Sequence, residues 1–192
     1  MDEIVKTALA KWPNVPNCYA WLGLDARGNW YMRDDAAQAA GPFCSASITE
    51  PARRTASKGT LLMHDKLIDF IQRNYESDAQ GQWFFQNGPQ RVYVELEATP
   101  FIWRVDAGGD FAVTAHTRQP VRVQRCLLDE HGRVYLQTEI GFGLVHTLDM
   151  LNAADAIEMG LWVPQDVMTH ELQERFDYVR SPDQRHKMLL KQ

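Results

Sequence analysis

The sequence predicts an α+β chain whose strands are mainly antiparallel, and three observations carry that reading. Val92, Val94 and Leu96 alternate with Arg91, Tyr93, Glu95 and Glu97, the period-two pattern of a half-buried antiparallel strand. The strand-like segments sit at hairpin spacing around Asp25-x-x-Gly28, Asp78-x-x-Gly81 and Asp129-x-x-Gly132, where an Asx residue starts a turn and a glycine accepts positive φ at its end. Helical stripes lie between them, the clearest being Met63, Leu67, Phe70, Ile71 and Tyr75 on one face, with Asp65, Lys66, Asp69, Gln72 and Arg73 away from it.

The elements follow in order. Ile4, Val5, Ala8, Leu9 and Trp12 are spaced as a helix that Pro13 stops. Residues 19–24 read as a strand, turned by Asp25-x-x-Gly28 into a second one at 29–32. Residues 33–59 hold seven alanines and two prolines without a sustained period, which reads as a long loop or a weakly ordered insertion. The helix of residues 61–75 comes next, then strands at 83–85, 92–96, 100–105 and 111–114, and a hairpin of 121–128 with 133–138. Residues 144–156 read as a helix, 160–163 as a short extended piece, and Pro164-Gln165 as the start of a helix carrying Met168, Leu172, Phe176 and Val179 on one stripe. Ser181-Pro182 interrupts that helix, and a short basic tail follows. The organisation expected is an N-terminal α+β unit over 1–77, including the 33–59 loop, and a β-roll with C-terminal helices over 78–192. The expected core comprises Leu67, Ile71, Trp83, Val92, Val94, Phe101, Val121, Val123, Leu144, Leu148, Leu172 and Phe176.

An internal repeat is visible in the three Asp-x-x-Gly turns, each followed by Trp30-Tyr31, Trp83-Phe84 or Val134-Tyr135. After the first and third copies, Leu62-Met63-His64 and Leu144-Val145-His146 each open a helix. Common turn chemistry accounts for the turns, but the matching His positions favour a duplicated strand–strand–helix unit, so an internal duplication is expected.

Composition narrows the function classes. A chain of 192 residues accommodates one or two domains and buries enough surface to need neither a disulfide nor a metal. A net charge of -5 argues against a general nucleic-acid binder. Cys18, Cys44 and Cys126 are odd in number and widely spaced, so they form no zinc ribbon or redox pair and read as buried thiols. Met1-Asp2-Glu3 is acidic where a signal peptide is basic, and no stretch approaches a membrane span, so a cytoplasmic protein without membrane attachment is expected.

At Gly81-x-Trp83-Phe84-Phe85-x-Asn87, then Val92-x-Val94-Glu95-x-Glu97-x-x-Pro100-Phe101, the chain resembles a bacterial family of unknown function with a pleckstrin-homology-like β-roll. Leu62, His64, Leu67-Ile68 and Phe70 match the family's strand entering a helix, with His64 where Arg is more usual. Val134-Tyr135-Leu136-x-Thr138-Glu139 resembles its last strand, with Glu139 at another usual Arg position. The resemblance spans residues 30–151, and neither the 33–59 segment nor the part after Pro164 has a counterpart in it. It implies two structurally related halves and a role in ligand or partner binding, and it carries over no catalytic residue.

The residues themselves ask for no catalyst. His64-Asp65, His146-x-x-Asp149 and His170-x-x-x-Glu174 are each half a zinc site at most. His146 reads as a hydrogen-bonded packing histidine and His64 as a helix cap. Glu95 and Glu97 share a strand face and invite an acid/base reading, but Arg91 and Tyr93 share it too, so a solvated, ion-paired surface is expected. No P-loop, nucleophile elbow, G-x-G-x-x-G or H-E-x-x-H occurs, and Gly141-Phe142-Gly143 lacks the third glycine. No cofactor or metal is therefore expected. The leading reading is a non-catalytic ligand- or protein-binding module, monomer or homodimer, and the alternative is a small-molecule enzyme whose groups converge only in the fold. Arg53, Arg54, Lys58 and His64 are the candidate ligand-binding residues. They concentrate positive charge that suits a small anionic ligand or an acidic partner protein just before a helix N-terminus.

Overall fold

The computed structural model describes residues 1–191. They form two compact units, the first built from residues 1–25, 29–97 and 179 onward, the second from 26–28 and 98–178.

The first unit contains, in order, α1 (Glu3–Lys11), β1 (Cys18–Leu24), β2 (Trp30–Met32), α2 (Asp35–Ala40), α3 (Pro51–Lys58), β3 (Thr60–Leu61), α4 (Asp65–Arg73), β4 (Tyr75–Ser77), β5 (Trp83–Asn87) and β6 (Gln90–Leu96). Its six-stranded sheet has the order β3-β2-β1-β6-β5-β4. β1 and β6 run parallel, with Leu22 opposite Val94 and Leu24 opposite Leu96, and the other neighbours are antiparallel. Leu24, Trp30, Val94 and Val5 are fully buried at its centre, and α4 contributes Ile71. The amide of Asn74 closes α4, donating to Phe70 O at 2.9 Å while its oxygen accepts from Asp2 N at 2.7 Å.

Two expectations fail in this unit. The 33–59 segment is not a loop, since it carries α2 and α3. Asp34 caps α2 by accepting from Ala37 N at 2.9 Å. Pro51 starts α3 at a position that needs no N–H. Gly59 ends α3 at φ +85°, with its Cα so placed that a Cβ would lie 2.3 Å from Met32 O. Alanine-rich helices have high propensity but no apolar stripe, so periodicity passes over them. The unit boundary also shifts. A cut after residue 77 would separate β4 from β5, which pair Tyr75 with Phe85 and Ser77 with Trp83.

The second unit holds β7 (Phe101–Val105), β8 (Val113–Ala115), β9 (Pro120–Val121), β10 (Val123–Asp129), β11 (Val134–Thr138), β12 (Gly141–Val145), α5 (Met150–Glu158), β13 (Pro164–Val167) and α6 (Leu172–Arg175). Its sheet order is β13-β10-β11-β12-β7-β8-β9. β12 lies parallel to β7 and β13 parallel to β10; the other pairs are antiparallel. Trp103, Leu127, Leu136 and Ile102 form the core, and the Trp103 indole N–H is satisfied by Leu136 O at 2.9 Å. Gly143 lets β12 approach β7 closely, since a Cβ there would sit 2.4 Å from Phe101 O. Gly141-Phe142-Gly143 thus lies in a strand that runs on to Val145, a 3-10 turn over Thr147–Asp149 follows, and the α-helix begins at Met150 rather than at 144. Pro164 likewise starts a strand, not a helix, and only Leu172–Arg175 of the expected stripe is helical. Of the expected core residues, Leu148 alone is exposed.

The chain then returns to the first unit as α7 (Pro182–Leu189), which packs on β6 and β1. What read as a basic tail is thus a helix with its own cap.

The Asp-x-x-Gly turns share one hydrogen-bonding scheme. Oδ1 of Asp25, Asp78 and Asp129 accepts the backbone N–H four residues on, at 2.9 Å in each case. Oδ2 takes that residue's side chain (Asn29, Gln82, Arg133). It also takes a tyrosine hydroxyl, from Tyr31, Tyr93 and Tyr135 respectively. The glycines have φ of +81°, +72° and +72°. The carboxylate thus pins each turn to its sheet. The two sheets also share an order: setting β7 against β1 turns β3-β2-β1-β6-β5-β4 into β9-β8-β7-β12-β11-β10, with the central pair parallel in both.

Candidate functional site

Arg33 follows β2, and its side chain turns inward until only 2% of the residue is exposed. Its guanidinium is held by main-chain oxygens: Ser57 O from Nε at 2.9 Å, Ala20 O from Nη1 at 3.0 Å, and Gly41 O and Ala37 O from Nη2 at 2.6 and 3.5 Å. Ala37 and Gly41 lie at the C-terminal end of α2 and Ser57 near that of α3, where carbonyls lack intrahelical partners and a cation is favoured. Burial holds the Arg33 pKa below the usual arginine value, against the opposing charges of Glu95 and Asp183.

Glu95, on β6, is 3% exposed. Its Oε2 accepts the Ser181 hydroxyl at 2.5 Å and its Oε1 accepts Asp183 N–H at 3.0 Å. Burial pushes its pKa up, and those two hydrogen bonds only partly offset the shift. Ser181 in turn accepts Gln184 N–H at 3.3 Å, so the N-terminus of α7 is tied through one hydroxyl to the sheet carboxylate. A ring stack holds the same helix further along, with His186 on Tyr19 at 4.2 Å and Tyr19 on Tyr93 at 4.7 Å. The expected solvated face of β6 is therefore covered, and Glu95 lies beneath α7.

Between these elements lies a cavity of about 280 Å³, where Arg33, Gln38, Glu95, Asp183, Gln184 and Lys187 supply the polar groups. Lys187 pairs with Asp183 at 2.7 Å. Two cations and two carboxylates leave the lining balanced, which suits a ligand presenting both a donor and an acceptor end. A second cavity of about 260 Å³ borders Ser47, Thr49, Glu50 and Arg53, and Pro42 lines both.

The four residues singled out by sequence have separate settings. Arg53 donates to Ala40 O at 2.6 Å and lines the second cavity. Arg54 is exposed on α3. Lys58 Nζ lies 3.5 Å from Asp25 Oδ2 and 3.4 Å from Glu97 Oε2, and 5.1 Å from the centre of the Tyr31 ring. His64 is the N-cap of α4, its Nδ1 accepting Leu67 N–H at 3.3 Å. Among the described residues no hydrogen bond or ion pair joins any two of the four. His146 caps the next turn in the same way, accepting Leu148 N–H at 3.0 Å.

Arg33 and the α7 residues escaped sequence reasoning, and Glu95 was placed on a solvated face although it is buried; one signal was present. Ser181-Pro182-Asp183-Gln184 has the residue types of a helix start: a hydroxyl cap, proline at the first position, an acid in the first turn and Gln at the third. Nothing in the sequence marks Arg33 as buried. Among the described residues, no group of three His, Cys, Asp or Glu side chains is placed to hold a metal ion, and no helix is long and apolar enough to cross a membrane.

The DUF2944 family model, described as "Protein of unknown function (DUF2946)", matches residues 1–183. No curated protein matches the chain. Two solved structures are similar to it. One is a DUF1285 family protein from Silicibacter pomeroyi DSS-3, with 13% identity over 81% of this chain and 84% of that one and a TM-score of 0.46. The other is a DUF1285 family protein from Shewanella baltica OS155, with 15% identity over 70% and 91% and a TM-score of 0.42.

Proposed function

The chain belongs to the DUF2944 family of proteins of unknown function, and from that starting point we propose that it is a non-catalytic binding module whose ligand is a small polar molecule of mixed charge. The observation that carries this reading is the cavity in which a buried arginine and a buried carboxylate face one space without a direct hydrogen bond between them. At about 280 Å³ it lies just under the roughly 300 Å³ at which drug-sized sites begin, so the occupant is a compact zwitterion of the amino-acid class. Its carboxylate would meet Lys187, Gln184 and the field of Arg33, and its ammonium would meet Asp183 and Glu95. The enzyme alternative needs a base with a free lone pair directed at substrate. Glu95 has its raised pKa in favour of that role, but both its oxygens already serve α7.

The shared strand order supports reading the two halves as copies of one six-stranded unit, and the closing parallel pair suits the pleckstrin-homology-like roll that the sequence resembles. The duplicated segments then become β1–β6 and β7–β12, which sets the Asp78 turn against the Asp129 turn. The unpaired thiols among the described residues suit a reducing, cytoplasmic setting.

Thermal unfolding of the full chain with amino acids, dicarboxylates, phosphate and polyols tests the ligand class. A zwitterion is expected to raise the melting temperature, and Gln184→Ala with Lys187→Ala, both at the cavity rim, to remove that rise. An anion-only response that survives this double substitution but is lost in Arg53→Ala/Arg54→Ala would move the site to α3. No response to any compound would end the binding proposal.

A further inference from the structure

The second unit exposes an apolar strip that its own core does not use. Leu148 is 77% exposed and Leu151 79%, and three-residue spacing sets them on one side of the turn that enters α5. Past the end of α5, Met159 is 65% exposed, Leu161 56% and Val163 76%. The inward face of the helix is already filled by Ala153 and Ala156, both fully buried, so the leucines are not displaced core residues. Isolated apolar side chains are ordinary on a surface, whereas a cluster of this kind marks an interaction site.

The charge around the strip selects the partner. From Thr147 to Tyr178 the sequence has seven carboxylates and one Lys or Arg, Arg175. Arg104 neutralises Asp149 through two hydrogen bonds. Asp155, Glu158 and Asp166 are exposed, and none of the three is in an ion pair among the described residues. Asp155 and Glu158 follow Leu151 by four and seven residues, so they share its face of α5. A second copy of this chain would bring the same acidic face, and an anionic membrane would be repelled.

We propose that this face docks a basic amphipathic helix of a partner protein, its apolar side on Leu148, Leu151 and Met159 and its lysines or arginines toward Asp155 and Glu158. α5 has nine residues, about 14 Å at 1.5 Å per residue, so the contact spans two to three turns of the partner. The carboxylates interspersed on this face steer the encounter and the exposed apolar side chains hold the complex. The surface is independent of the polar cavity and does not rest on its ligand.

A dye-labelled peptide of about 18 residues, five turns, with leucine on one face and lysine on the other, is the probe, read by fluorescence anisotropy on the full chain. It should bind, with affinity falling as salt rises. Leu148→Ser/Leu151→Ser should weaken it roughly tenfold or more, and Asp155→Asn/Glu158→Gln should weaken it and flatten the salt dependence. All four positions are exposed, so circular dichroism and melting temperature should stay unchanged. A peptide with glutamate replacing lysine should not bind. Failure of the lysine peptide to bind, or equal binding by the chain and either variant, overturns the proposal. So does self-association, or binding to phosphatidylserine vesicles, that Leu148→Ser/Leu151→Ser abolishes, since the face would then belong to a second copy or a membrane.

Discussion

Glu95→Gln and Glu95→Ala place opposite demands on the buried cluster, and together they separate its charge from its hydrogen bonds. Alanine removes the acceptor for both the Ser181 hydroxyl and Asp183 N–H. Each hydrogen bond to a charged group is worth about 1.5–3 kcal/mol on removal, and water entering from the open cavity returns part of that, so a loss of about 3 kcal/mol is expected. Glutamine keeps an oxygen for Asp183 N–H and offers its amide N–H to the Ser181 oxygen. It deletes a buried negative charge but also removes the field that compensates Arg33, so its net effect should lie within about 1 kcal/mol of zero at neutral pH. The pH dependence decides between charge and hydrogen bonding. Burial raises the folded-state pKa of Glu95 above its ordinary value, so the folded protein holds this proton longer than the unfolded chain does. The Glu95 contribution therefore falls as pH rises from the ordinary carboxylate range through the raised folded value, and stays lower above it. Protonated Glu95 resembles glutamine, so the wild-type protein should lose stability relative to Glu95→Gln across that window, with the difference constant below it and constant, at the lower wild-type value, above it. Urea unfolding followed by tryptophan fluorescence at a series of pH values measures this directly. If Glu95→Gln proves as damaging as Glu95→Ala, or its difference from wild type moves the other way with pH, then the carboxylate charge stabilises Arg33 by more than its own burial costs, and a net burial penalty at Glu95 is refuted.

Further outcomes follow from the same structure. Asp129 accepts from His131 N, Arg133 N, the Arg133 guanidinium and the Tyr135 and Thr169 hydroxyls, so Asp129→Ala should cost about 3–5 kcal/mol in urea unfolding, and a loss under about 1 kcal/mol would refute its role as the turn anchor. Burial alone would raise its pKa, but those donors together hold it below the usual value. The stability it supplies is thus present above the ordinary carboxylate pKa and lost as pH falls through the lowered one, and Asp129→Asn should flatten that acid limb. Gly59→Ala must fit a methyl 2.3 Å from Met32 O at φ +85°, so it should destabilise by about 2 kcal/mol or more, and a neutral effect on the melting temperature would contradict the geometry. Burial pushes the Cys44 thiol up to about 12 and Cys126 up to about 11. N-ethylmaleimide at neutral pH should therefore leave both unlabelled in the native protein and modify them in urea, as read by mass spectrometry.

Much of the fold was legible because its signals are local. The strand over 92–96, the middle of the α4 stripe and the three Asp-x-x-Gly turns each depend on a few neighbouring residues and appear where the sequence put them, whereas the ends of that stripe do not, since Met63 precedes α4 and is exposed and Tyr75 lies in β4. The failures share a cause of the opposite kind. α2 has a side-chain cap and α3 starts on a proline, but both pack through small residues and arginine-held carbonyls, so no apolar period announces them. β12 looked like an incomplete glycine motif because its glycines serve a neighbouring strand, which sequence spacing cannot reveal.

Glu95 is the most instructive misreading, because the inference from alternation was sound and its assumption was not. Alternation says which residues share a face, and it leaves open whether water or another element covers that face. In this chain the covering element comes from the far end. Residues 181–189 have too few apolar side chains to read as a packing helix, and α7 docks through polar and aromatic contacts instead: Ser181 and Asp183 on Glu95, and His186 on Tyr19. A helix held that way leaves space beneath it, since hydrogen bonds fix its N-terminus without filling the volume that packed aliphatic side chains would occupy. The cavity and the buried carboxylate thus have one origin, which makes α7 the element to perturb when the site is tested. Ser181→Ala should loosen it by about 1 kcal/mol through loss of the cap, and should lower the affinity of a cavity ligand while leaving peptide binding at Leu148 and Leu151 untouched. Loss of both activities, or of neither, in ligand-shift and anisotropy measurements would refute that division of the two sites.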